Sequence, residues 1–258
     1  MNSKVWLIGG TSDSATIANI LLESNIPLVI TVTTDTARAL YNAKAKIIVG
    51  CMNVSQMGYF CQQHQIKLVV DASHPYATEV SQQAIAVTQQ LNIAYLRYER
   101  THYQSSTVEA NVIELDSWER LLTGDYLTAQ RVLLTVGCQI LPKFQSWQSR
   151  ATLFARVLPK IESLEMAIAS GFTGDRLMAI RPPISLATEI ALWQQWKISL
   201  VITKASGKAG GEDHKRQAAA SLGITLIVIS RPQITYPQET SEIASVLACC
   251  QRAIANFV

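Results

Sequence analysis

The 258-residue sequence has no stretch approaching 18 uninterrupted apolar residues, so no membrane-spanning helix is expected. The apolar run nearest the N-terminus is only Val5 to Ile8, too short for the core of a signal peptide. Cysteine is sparse: five residues, at 51, 61, 138, 249 and 250, with no CxxC pair. Neither a disulfide framework nor a zinc ribbon is indicated, and reduced thiols suggest the cytoplasm. There is no run of Lys and Arg and aromatics are only 7%, so nucleic acid is not an expected partner. No GxSxG elbow occurs, which leaves nucleophilic hydrolysis without support, and Cys138 reads as a buried thiol. The full GxGxxG and Walker A patterns are also missing. His74 has no partners at metal-ligand spacing, so no metal site is expected.

What is present is a globular composition, 48% hydrophobic and 16% charged. Short β-branched runs alternate with longer helical patterns. Val5–Ile8, Leu28–Thr33, Lys46–Val49, Leu68–Asp71 and Ala94–Arg97 read as strands. Asp13–Leu22, Thr36–Tyr41, Val54–Gln63 and Thr78–Leu91 read as the helices between them. That alternation implies α/β units with mainly parallel sheets. After an irregular stretch at Thr101–Ala110 it resumes. Six more strands are expected at Asn111–Leu115, Arg131–Thr135, Leu153–Val157, Arg176–Ile180, Leu200–Thr203 and Thr225–Ile229. Helices are expected at Ile161–Ser170, Ser185–Trp196, His214–Leu222 and Thr240–Phe257. Eleven strands are many for one open sheet, so two domains are expected, 1–104 and 105–258. The final helix, 240–257, is left free to pack back on the first.

Charge is divided between the halves. Residues 1–130 carry a net −3 and residues 131–258 a net +6, which suits an anionic ligand in the second half. Four segments carry candidate chemistry. The turn Gly9-Gly10-Thr11-Ser12 follows the first strand, where free N–H groups attract phosphate; it equally fits a tight turn with an N-cap. Thr33-Thr34-Asp35-Thr36-Ala37-Arg38 follows the second strand, where ribose is read. Asp35 there favours NADH, while Thr33, Thr34 and Arg38 favour the 2′-phosphate of NADPH. Asp71-Ala72-Ser73-His74-Pro75-Tyr76 ends the fourth strand and offers His74 and Tyr76 as proton donors or acceptors, with Pro75 and Ser73 alternatively a helix start. Lys204-Ala205-Ser206-Gly207-Lys208-Ala209-Gly210-Gly211 is a Gly-, Ser- and Lys-rich loop suited to an anion. Arg97, Arg100, Arg156 and Arg181 lie at or just beyond strand ends, placed to grip carboxylates in forks.

Taken together these segments resemble the precorrin-6A reductase family of corrinoid biosynthesis. The resemblance rests on GGTSDS at 9–14, VVDASHPYA at 69–77, YLRYER at 95–100, LLTVG at 133–137, ARVLP at 155–159 and TKASGKAGG at 203–211. It implies two Rossmann-like units with a ligand cleft between them. It implies NAD(P)H-dependent reduction of one double bond of precorrin-6A, or its cobalt form, to precorrin-6B. The nucleotide, NADPH or alternatively NADH, would be held by Gly9, Gly10, Thr11, Ser12, Thr33, Thr34, Arg38, Lys204, Ser206, Gly207, Gly210 and Gly211. A polycarboxylate tetrapyrrole would meet Ser73, His74, Arg97, Arg100, Arg156, Arg181 and Lys208, with His74 or Tyr76 supplying the proton. Neighbouring corrinoid-pathway enzymes are conceivable partners. Two departures stand out: Ala15 where an Arg often follows the first turn, and Arg181-Pro182-Pro183-Ile184 where a Gly-Pro-Phe-like segment is common. The competing readings are a non-catalytic tetrapyrrole or nucleotide carrier and a tetrapyrrole-modifying transferase.

Overall fold

The computed structural model describes residues 3–42, 44–101 and 111–255. The chain divides into two compact units, Met1–Thr101 with Gln233–Val258, and His102–Pro232. The boundary stretch expected at Thr101–Ala110 lies, apart from Thr101, outside the described residues.

The first unit runs β1 (Lys4–Ile8), α1 (Ser12–Glu23), β2 (Leu28–Val32), α2 (Asp35–Arg38), β3 (Ile47–Val49), α3 (Val54–Gln63), β4 (Ile66–Asp71), α4 (Thr78–Leu91) and β5 (Ala94–Tyr98). The second runs β6 (Val112–Leu115), α5 (Trp118–Thr123), β7 (Arg131–Leu134), β8 (Thr152–Val157), α6 (Ile161–Ala169), β9 (Leu177–Ala179), α7 (Leu186–Gln195), β10 (Leu200–Lys204), α8 (Glu212–Leu222) and β11 (Thr225–Ile229). A 3-10 segment, Cys138–Trp147, stands between β7 and β8. The chain then returns to the first unit as β12 (Glu239–Thr240) and α9 (Ile243–Ala255).

Both sheets are six-stranded and parallel. Their orders are β12-β5-β4-β1-β2-β3 and β6-β11-β10-β7-β8-β9. Each is the doubly wound order in which the connection reverses direction beside the unit's first central strand, between β1 and β4 and between β7 and β10. In each sheet the outermost strand comes from outside the unit's run of βα repeats: β12 from the C-terminal segment, β6 from before the repeats begin.

Central strands are apolar on both faces because both are covered. Val5 and Leu7 face a core with Ile17, Leu21, Val246 and Cys250, from α1 and α9. Trp6 and Ile8 face the opposite core with Met57, Phe60, Ala84 and Val87, from α3 and α4. α9 therefore completes the α1 side of the first sheet. This is the physical reason 233–258 belongs with the first unit, the alternative that the sequence leaves open for the helix expected at 240–257. The second sheet is layered the same way, with Leu134, Phe144 and Ala167 on one face and Trp193, Ala218 and Ala219 on the other.

Candidate functional site

Register sets the site in the first unit. Ile8 pairs with both Thr31 and Asp71, and Asp71 with Arg97. The ends of β1, β2, β4 and β5 are thus level, and the loops after them open on one edge. There a cavity of about 680 Å³ is lined by Gly9, Gly10 and Thr33 together with Ser73, His74 and Tyr76. Trp6 and Ile8 also line it. The structure therefore brings together residues from three of the four predicted segments. Thr34 and Arg38 are exposed on α2 just beyond, and Thr34 caps that helix by accepting from the Ala37 N–H. Thr11 caps α1 and donates to the Ala72 carbonyl at 3.0 Å, joining the first and third segments. Ser12 opens α1 and is exposed.

The glycine turn is built around an aromatic residue that sequence reading missed. Gly10 has φ +109°, open to glycine, and a Cβ there would meet nothing within 4 Å. Gly9 is the reverse: a Cβ would lie 2.1 Å from the Tyr41 hydroxyl oxygen. That hydroxyl accepts the Gly10 N–H at 2.7 Å. The Thr11 N–H goes to Ser14 Oγ at 3.0 Å. Two amides of the turn are therefore satisfied by side chains, while Gly10 leaves its outer face clear.

Beneath His74 lies a buried charge network. Asp71 is wholly buried and accepts from the Ser73 N–H, the Ser81 hydroxyl, the Tyr95 hydroxyl and Arg97 Nη1. Arg97 also donates to Ser73 Oγ at 3.0 Å and, through Nε and Nη2, to Glu99. Burial, and then the Asp71 carboxylate, push the Tyr95 phenol far above its usual range, so it stays a donor. The structure differs here from the expectation of a surface fork. Arg97 is 1% exposed, with Tyr236 beneath its guanidinium at 5.3 Å. Ser73 is buried and does not cap α4, which starts at Thr78 with no side-chain cap. His74 is exposed, and its Nδ1 accepts the Tyr76 N–H at 3.3 Å. Arg100 pairs with Asp13 at 2.7 Å.

In the second unit the Lys204–Gly211 loop leaves β10, at that sheet's own reversal point. It is knit tightly. Glu212, buried, accepts the Gly207 N–H with one oxygen and the Arg216 guanidinium with the other. Gly210 lies against Ser206, where a Cβ would come 2.0 Å from Oγ. Lys204 lies 5.9 Å over the Trp118 ring, and burial lowers its pKa. Lys208 and Arg181 are exposed, and Arg156 is held by Glu189 at 2.7 Å. So the Gly207 amide, expected to meet a ligand phosphate, already faces a carboxylate of the chain. The clustered cations and the +6 half remain as the electrostatic attraction to anions.

A family model described as precorrin-6x reductase CbiJ/CobK matches residues 4–251. The chain belongs to this family. It is 42% identical over 254 residues to the cobalt-precorrin-6A reductase of Synechocystis sp., covering 98% of this chain and 97% of that one. It is 33% identical over 236 residues to the cobalt-precorrin-6A reductase of Priestia megaterium, covering 90% and 92%. The solved structure of CobK precorrin-6A reductase superposes with a TM-score of 0.81 over 97% of each chain at 20% identity, so the fold is shared.

A reductase of this family implies a nicotinamide nucleotide, and the first unit fits one. The cavity lies at the reversal point of a parallel sheet, with open space over Gly10 and hydroxyls and an arginine after β2.

A residue absent from the predicted set, Lys215 on α8, holds the second loop from behind. It is buried, and its ammonium donates to the Gly210 and Gly211 carbonyls at 2.7 and 3.1 Å. Burial, then the Arg156 charge, lower its pKa to about 8. An unfolded lysine titrates near 10.4, so the unfolded chain binds more protons between these values and stability rises with pH there. The penalty is fully present below about pH 8 and relieved as pH climbs toward 10.4. It amounts to about 3 kcal/mol. Urea midpoints measured from pH 7 to 10 should therefore rise in the wild type relative to Lys215→Met. Parallel profiles would remove Lys215 as the source.

Proposed function

We propose that this family member reduces one ring double bond of cobalt-precorrin-6A, with NADPH as the hydride source. The observation that supports it best is the cavity of the first unit, which the glycine turn, the start of the β2 loop and His74 line together. Cobalt is chosen over the metal-free macrocycle because both relatives above are named for the cobalt-bearing substrate. It travels with the substrate; among the described residues no three His, Cys, Asp or Glu side chains gather as a metal site.

A bound nicotinamide supplies a hydride, and the reduction consumes a proton as well. The chain's own residues do the rest. Gly10 lets the backbone approach the nucleotide closely, and Ser12 donates at the start of α1. Thr33, Thr34 and Arg38 take the 2′-phosphate. His74 delivers the proton from the cavity wall. Lys204, Lys208 and Arg181 meet anionic groups, phosphate or carboxylate, in the second unit. Five free cysteines support a reducing, cytoplasmic setting. Among the described residues no helix is long and apolar enough to cross a membrane.

The test is anaerobic spectrophotometry with cobalt-precorrin-6A and precorrin-6A, each with NADPH and with NADH. Stoichiometric loss of nicotinamide and macrocycle absorbance, fastest for the cobalt form with NADPH, is expected. A macrocycle that binds while no nicotinamide is oxidised would favour the carrier. Arg38→Ala should weaken NADPH binding by about 10- to 100-fold, the worth of a charge-assisted contact, and leave NADH unchanged. Equal loss for both nucleotides in a titration would move the 2′-phosphate elsewhere.

A further inference from the structure

The Tyr41 hydroxyl joins two parts of the nucleotide wall that are far apart in sequence. It accepts from Gly10 N at 2.7 Å and lies 2.6 Å from Ser14 Oγ. Ser14 Oγ donates its own proton to the Thr11 carbonyl at 2.7 Å, so the tyrosine is the donor of the pair. Both ends of the phenol are therefore committed to the turn after β1. The ring itself is packed in the core with Ile17, Leu21 and Ile30. Tyr41 also closes the short segment after β2: its N–H donates to the Arg38 carbonyl at 3.2 Å, and that of Leu40 to Ala37. The segment carrying Thr33, Thr34 and Arg38 has no fully buried residue in its helix, and only the small side chain of Ala37 packs against the core. Tyr41, just after it, is the buried residue that also bonds to the turn after β1.

We infer that Tyr41 is a positioning residue that sets nucleotide preference, by tying the Thr33–Arg38 segment to the Gly9-Gly10 turn. The inference rests on the nucleotide site proposed above. A nucleotide lying across both segments feels their separation, and the 2′-phosphate feels it most, because only the β2 side reads that group. Removing the hydroxyl frees the segment and leaves Gly10 N–H to find another partner. Gly9→Ala is the complementary wedge. It keeps the tyrosine but drives its hydroxyl off the turn, since the new Cβ would otherwise sit 2.1 Å from it.

The experiment is a titration of the folded full chain with NADPH and with NADH, without corrinoid, read by calorimetry. Tyr41→Phe should weaken NADPH by about 5- to 10-fold, the loss of one to two neutral hydrogen bonds, and NADH by less. Gly9→Ala should shift the NADPH-to-NADH ratio in the same direction. Lowered thermal stability with an unchanged ratio in both variants would overturn the inference and leave Tyr41 a core residue. If Tyr41→Phe does not fold, Ser14→Ala reads the same tie through the hydroxyl's acceptor. Wild type that binds neither nucleotide would instead count against the proposed function, while wild type that binds NADPH with an unaltered Tyr41→Phe ratio counts against this inference alone.

Discussion

Replacing Arg97 with Ala should destabilise the chain by about 3–5 kcal/mol, the cost of leaving a buried charge uncompensated. Two carboxylates depend on this guanidinium, Asp71 at 3.0 Å and Glu99 at 2.8 Å. Asp71 is wholly buried, so water cannot replace the lost donor. Arg97→Lys should recover only part, because a single ammonium lacks the fork that reaches both acids and Ser73. The informative variant is Arg97→Met combined with Asp71→Asn and Glu99→Gln. Removing all three charges together should return much of the lost stability, as replaced buried pairs often do. Urea unfolding of the single and triple variants, with hydrogen exchange at β4 and β5 amides, measures both. If Arg97→Ala unfolds at the wild-type midpoint, the network does not hold the sheet end. The effect also reaches function, since Asp71 and Arg97 together hold the Ser73 N–H and hydroxyl, one residue before His74.

The two sheets were legible because buried parallel strands are apolar throughout. Val69-Val70-Asp71 and Leu7-Ile8-Gly9 need no alternation to be read. α3 and α4 fall where their periodicity placed them, at Val54–Gln63 and Thr78–Leu91. Three elements escaped. α5, at Trp118–Thr123, is six residues long, too short for a stripe. The 3-10 segment at Cys138–Trp147 contains Pro142 and lacks the 3.6-residue repeat. β12 is two residues, and only its pairing with Arg97 and Tyr98 makes it a strand. The candidate site divides in the same way. The loops after β1, β2, β4 and β10 could be found because each joins a readable strand to a readable helix. Tyr41, Tyr236 and Lys215 could not. Tyr41 meets Gly10 across 31 residues, and Tyr236 meets Arg97 from the far side of the second unit's sequence. No local pattern encodes such a contact. For the same reason most of the arginines' partners are not legible locally: Asp71, Asp13 and Glu189 are distant in sequence, and only Glu99, two residues from Arg97, is near.

The second large effect is expected at His74. His74→Ala should lower turnover by roughly 10²- to 10⁴-fold if the ring supplies the proton that accompanies hydride. Local geometry suits that task. In the neutral ring Nδ1 accepts the Tyr76 N–H and the hydrogen sits on Nε2; delivering a proton takes the imidazolium, in which that hydrogen bond is released, and leaves this neutral form behind. The ring is exposed and lines the cavity. Its backbone is held by what lies below: Ser73 is tied to Asp71 and Arg97, and the Ala77 N–H bonds back to the His74 carbonyl at 2.8 Å. Three readouts separate proton delivery from binding. The turnover number should fall with little change in KM for either ligand, because the proton is needed only as the bond is reduced. The pH profile should lose the limb that reports histidine protonation. His74→Gln, a donor of hydrogen bonds but not of protons at neutral pH, should likewise keep KM and should not restore turnover. Wild-type turnover in His74→Ala would pass the role to Tyr76 or to water. Tyr76→Phe then distinguishes those two, because its hydroxyl is the other proton donor of that loop on the same cavity wall.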